Sequence, residues 1–107
     1  MKQITPAALA AWLADAGRAK PLLLDVREPW EHQTARIEGS KLVPLGEVAE
    51  RLGELDQQQE VVAICHHGGR SMQVAMFLEK NGFSKVHNLS GGMDAWSKNV
   101  DPSVPVY

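Results

Sequence analysis

The chain has 107 residues, 44% of them hydrophobic, a formal net charge of −2 and one cysteine. That length suits a single domain over residues 1–107, and the apolar share excludes a disordered chain. No Lys/Arg cluster marks a nucleic-acid footprint, no apolar run is long enough to span a bilayer, and a lone thiol forbids an internal disulfide. Met1 to Leu13 lacks the basic start, apolar stretch and cleavage site of a signal peptide, so a cytoplasmic protein with no nucleic-acid or membrane partner is expected.

A brief strand is expected near Gln3-Ile4. Thr5 can cap a helix and Pro6 suits its first position; Leu9, Trp12, Leu13 and Ala16 recur at helical spacing, and Gly17 is expected to stop it. Leu22 to Val26 and Leu42 to Pro44 read as strands. Leu45, Val48, Ala49 and Leu52 form an apolar stripe that predicts a second helix, ending near Gly53. The polar run Asp56 to Glu60 reads as a surface loop. Val61 to Cys65 is another strand. Ser71 to Lys80 predicts a third helix, apolar over most of its surface and therefore largely buried, with Gly82 closing it. Val86 to Leu89 reads as a strand and Gly92 to Ser97 as a short helix. Asp101 to Pro105, with two prolines, is expected to be extended.

The strands lack polar alternation, as strands buried on both faces do in a parallel sheet. Strands alternating with helices predict a small three-layer α/β domain, its central parallel sheet flanked by helices on both faces. Ligands of such folds bind beyond the carboxyl ends of the strands. Cys65 lies at one such end and Asp25-Val26-Arg27 at another.

The segment from Cys65 to Ser71 combines a soft nucleophile with a turn and a helix start. Cys65 acts only as thiolate. Gly68 and Gly69 let the backbone curl, and a curled loop turns its N–H groups inward as an anion-binding nest. The helix beginning near Ser71 adds its positive end, and Arg70 can hold an anion by paired hydrogen bonds or orient the loop. His66 and His67 are candidate donors at the rim, with either partly protonated near neutral pH. Cys65, His66 and His67 are adjacent and ill-placed to share one ion, and adding His32 or His87 requires a coincidence of fold. No metal and no cofactor are expected.

These residues carry a family resemblance. Cys65 to Arg70, written Cys-x4-Arg and followed by Ser71, resembles the active loop of rhodanese domains. Leu24 to Glu31 resembles that family's early motif, and Leu89 to Trp96 its late one. The resemblance spans about Leu22 to Ser97. It implies transfer of a sulfane sulfur from a small anionic donor such as thiosulfate to a thiophilic acceptor (cyanide, a thiol or a protein) through a persulfide on Cys65. It implies that the backbone of His66 to Ser71 cradles the sulfur, that Arg70 closes the loop, and that Asp25 and Arg27 brace it. Gly91, Gly92 and Trp96 look architectural, while Trp30 is a candidate for the site mouth. The sequence departs from the family where many members carry Gly-His-Ile, since Ala35-Arg36-Ile37 stands there. The end of the chain looks like rhodanese domains appended to enzymes that activate ubiquitin-like sulfur carriers, which implies a sulfur-relay partner. Two other readings stand beside this one. One is a docking or sulfur-carrier module. The other is a cysteine-dependent phosphatase or arsenate reductase, whose loop typically has five residues between Cys and Arg.

Overall fold

The structure is a computed structural model that describes residues 1–107. Five strands, β1 (Lys2–Ile4), β2 (Leu22–Asp25), β3 (Lys41–Leu42), β4 (Val61–Ile64) and β5 (Val86–Leu89), form one sheet in the order β1-β5-β4-β2-β3. Every pairing is parallel, so all the carboxyl ends share one edge. Three helices lie between strands, α1 (Pro6–Ala14), α2 (Pro29–Thr34) and α3 (Gly69–Lys80), and α4 (Gly92–Asn99) follows β5. None of them is long and apolar enough to cross a membrane.

Side chains on the central strand β4 alternate between two cores. Val61, Ala63 and Cys65 pack with Val74, Ala75 and Leu78 of α3. Val62 and Ile64 pack on the opposite face with Leu9 and Trp12 of α1 and Met93 and Trp96 of α4. Every residue of β4 is buried, which is why its sequence shows no polar alternation.

Several expected elements differ in detail. α1 ends at Ala14, where the Asp15 carboxylate accepts the Gly17 N–H at 2.9 Å, and Ala16 is exposed. The stripe from Leu45 to Leu52 gives two 3₁₀ turns, Leu45–Glu47 and Leu52–Glu54, in place of a helix. Each turn contains a glycine, and glycine weakens an α-helix by about 1 kcal/mol relative to alanine. The third strand pairs through Lys41–Leu42, with Pro44 outside it because proline has no amide to donate. α3 is only half-covered: Met72 and Met76 reach solvent while Val74, Ala75 and Leu78 face the sheet. α4 runs two residues beyond its expected end, to Asn99.

The short helix α2 follows the early motif without any apolar periodicity to announce it. Pro29 presets its first turn, and the Glu28 amide donates to Glu31 Oε1 at 3.0 Å. This capping contact fixes Glu31 toward the sheet edge, where it enters the site.

Candidate active site

Cys65 follows the last residue of β4 and is 1% exposed. The chain then curls from Cys65 to Arg70 and passes directly into α3. Gly68 makes the turn possible at φ +105°, a left-handed value that disfavours any side chain. The Gly68 N–H donates to Cys65 Sγ at 3.0 Å. Gly69 has ordinary helical geometry with open space where a Cβ would sit, so Gly68 alone makes the turn.

The amides of His66, His67, Gly69, Arg70 and Ser71 find no acceptor within the protein. The loop carbonyls, by contrast, are committed. Cys65 O accepts from Met93 N–H at 2.8 Å, and His66 O accepts from Asp94 N–H at 3.0 Å. The N-terminus of α4 therefore draws these carbonyls toward itself. Gly92 permits the approach, because a Cβ there would stand 2.4 Å from Cys65 O and 2.5 Å from His66 O. With the carbonyls drawn off, the loop presents free donors beside the sulfur, an arrangement suited to an anion.

Ser71 lies under the loop, fully buried. Its Oγ is 3.3 Å from Cys65 Sγ and bonds Asn88 Oδ1, while Asn88 Nδ2 donates to Gly68 O at 3.2 Å. The amide of Asn88 thus ties the helix start to the turn from below. The Gly68 amide is the hydrogen-bond donor to the sulfur, and such a bond strengthens when its acceptor carries charge.

Arg70 does not reach open solvent unaccompanied. Its Nη1 and Nη2 donate to Glu31 Oε1 and Oε2 at 2.7 and 2.9 Å. Glu31 is 4% exposed, and the fork from Arg70 holds its carboxyl down at about 2. Glu31 Oε2 also accepts from the Tyr107 hydroxyl at 2.8 Å. Arg27 in turn donates to that hydroxyl at 2.8 Å. The guanidinium of Arg27 is wholly buried and forked onto Asp25, with Nε and Nη2 at 2.9 and 2.6 Å from its oxygens, and it also bonds the carbonyls of Glu31 and Ala35. Asp25 and Arg27 therefore reach the loop through a chain of side chains, Arg27 to Tyr107 to Glu31 to Arg70, rather than by direct contact. Burial raises the Tyr107 phenol to about 12, so it serves as a neutral link.

His66 packs its ring against those of Tyr107 and His67, with centroids 4.1 and 4.0 Å apart. Desolvation lowers its basicity below that of a free imidazole. His67 is exposed, its Nδ1 3.9 Å from Asp94 Oδ2. His66, His67 and Asp94 offer ligand atoms within 4.8 Å of one another, but Asp94 already accepts from Lys98 at 3.1 Å. His32 is held by Ser40 and His87 by Glu60, so neither completes a metal set. Trp30 is 60% exposed and meets the Tyr107 ring edge-on, which places it at the rim.

A protein-family model described as "Rhodanese-like domain" matches residues 5–99. The chain belongs to the rhodanese-like domain family. Among its relatives, the Arabidopsis thaliana "Rhodanese-like/PpiC domain-containing protein 12, chloroplastic" is 42% identical over 89 residues, covering 79% of this chain and 30% of that protein. The Mycobacterium tuberculosis "Probable adenylyltransferase/sulfurtransferase MoeZ" is 39% identical over 106 residues, covering 97% of this chain and 26% of that protein. The chain thus spans less than a third of the length of these two relatives. In the crystal structure of SSP1007 from Staphylococcus saprophyticus the same fold is found with a TM-score of 0.85 and 30% identity, covering 98% of this chain and 99% of that one.

Sequence reasoning did not place Glu31, Asn88, Asp94 or Tyr107 in this rhodanese-like site. Glu31 and Asp94 lie inside the early and late motifs, where their charge reads as a surface feature. Asn88 carried a signal: it is a polar residue in an otherwise apolar strand. Tyr107 carried none, being separated from the loop along the chain by α3, β5, α4 and the tail.

Proposed function

We propose that this domain is a sulfurtransferase that carries a sulfane sulfur as a persulfide on Cys65. The observation that carries the reading is the Cys65 sulfur, held at 3.0 Å by the Gly68 amide inside a loop whose neighbouring amides have no other acceptor. The Cys65 thiolate attacks the outer sulfur of the donor. The donor's sulfur–sulfur bond breaks, its electron pair leaves with the remaining fragment, and the transferred sulfur stays bonded to Cys65. The free amides of His66 to Ser71 suit the negative charge on that outer sulfur.

Release requires an external acceptor, since the chain has a single cysteine and no resolving thiol. A small thiol, cyanide or a protein acceptor fulfils this role. The resemblance to MoeZ, whose name joins an adenylyltransferase to a sulfurtransferase, favours a relay protein. Arg70 and Glu31 keep the loop shut over its helix, with Asp25 and Arg27 as the buried anchor of the same network. Gly68 shapes the cradle, and His66 and His67 form its rim.

Two half-reactions through one covalent intermediate predict parallel lines in double-reciprocal plots as donor and acceptor are varied. The Cys65→Ser variant is expected to lose all transfer. Intersecting lines, or transfer by that variant, would count against the covalent route.

A further inference from the structure

The arginines around the loop are each paired with a carboxylate. Both terminal nitrogens of Arg70 are committed to Glu31, a carboxylate that stays ionised at any ordinary pH. Arg27 is forked onto Asp25 and Lys98 is on Asp94, and desolvation disfavours the charged form of His66. The exposed His67 faces Asp94. The permanently charged side chains near the loop, Arg27, Arg70 and Lys98, each have a carboxylate partner, so backbone amides are the donors left without an acceptor.

This arrangement weighs differently on different donors. Thiosulfate brings two negative charges to a thiolate, whereas an organic persulfide, R–S–S⁻, brings one. Like-charge repulsion scales with the product of the charges, so it is doubled for the dianion. We propose that Glu31, by neutralising Arg70, makes this site take its sulfur from a singly charged organic persulfide in preference to the thiosulfate dianion. The inference rests on the Cys65 persulfide reading and names the donor class for it. In the step, the Cys65 thiolate bonds to the outer sulfur of R–S–S⁻ and the bond between the two donor sulfurs breaks. R–S⁻ leaves with the electron pair, and Cys65–S–S⁻ remains; charge and atoms balance with no oxidant.

The test follows sulfur loading of the full chain by rapid quench and intact mass, with thiosulfate or cysteine hydropersulfide as donor. Intrinsic donor reactivity differs, so the decisive readouts are salt dependence and the change between variants. In the wild type, loading by thiosulfate is expected to accelerate as KCl is raised, as for two reactants of like charge. In Glu31→Gln, which releases Arg70, the ratio of thiosulfate to hydropersulfide loading is expected to rise at least tenfold, and the salt effect on thiosulfate to reverse. The salt readout on the wild type stands even if the variant folds poorly. Thiosulfate loading that slows with salt in the wild type, or a ratio within twofold of wild type in a folded Glu31→Gln, would overturn the donor assignment alone. Loading by neither donor would overturn the sulfurtransferase reading beneath it.

Discussion

Replacing Gly92 with alanine should damage the site far more than the same change at Gly69. A Cβ at this position would stand 2.4 Å from Cys65 O, where ordinary contact begins near 3.4 Å. The backbone must therefore part by about an ångström, and Met93 N–H and Asp94 N–H must release Cys65 O and His66 O. Gly92 also sits at φ +58°, where a side chain costs about 1–2 kcal/mol. Two lost hydrogen bonds add about 1 kcal/mol each, giving about 3–4 kcal/mol in all. For a domain of this size that lowers Tm by roughly 12–20 °C. The freed carbonyls would compete with the amides for the space beside the sulfur, so sulfur loading by folded protein should fall about tenfold. Gly69→Ala is the control, because its Cβ meets nothing within 4 Å and its φ is ordinary. Calorimetry and intact mass measured on both variants decide the matter. A Gly92→Ala protein that melts within about 3 °C of wild type and loads sulfur normally would refute the close-approach argument.

Asn88→Ala removes the acceptor of the Ser71 hydroxyl and a donor to Gly68 O, and is expected to cost about 2 kcal/mol in urea unfolding; a cost below about 0.5 kcal/mol would show that the floor is redundant. The Glu31 carboxyl falls from its usual 4.5 to about 2 on folding. Its stabilisation is therefore complete above the unfolded value and lost as pH falls through 4.5 toward 2. Because Arg70 is 37% exposed, on the order of 2 kcal/mol is expected rather than the full linkage value. The stability gap between wild type and Glu31→Gln, measured by urea unfolding from pH 7 to pH 2, should close over that interval; a gap independent of pH would contradict the ion pair. Tyr107 is the only tyrosine, so phenolate absorbance near 295 nm reports one group. Its midpoint is expected near pH 12, with the stability it contributes lost as pH rises from 10 through that value, and a midpoint at 10 would place the ring in water.

The sheet, its parallel sense and the position of Cys65 at a strand end were legible in the sequence because β4 is buried on both sides and the apolar runs are short. The cradle was legible because Cys65, Gly68 and Arg70 sit within six consecutive positions. The apolar spacing of Leu45, Val48 and Leu52 suggested a helix, but Gly46 and Gly53 leave only tight turns there. The partner of Arg70 was not legible, since Glu31 lies 39 positions away and only the folded sheet edge brings the two together. The same holds for Tyr107, 76 positions from Glu31, whose tail returns across the site. Local pattern reports what a segment does by itself; long-range polar pairing depends on topology.

The covalent intermediate is tested most directly by intact mass of the wild type and Cys65→Ser after incubation with cysteine hydropersulfide. The account predicts one added sulfur atom on the wild type only, removed when a thiol acceptor is supplied. No added sulfur, or the same addition on the protein lacking Cys65, would contradict it.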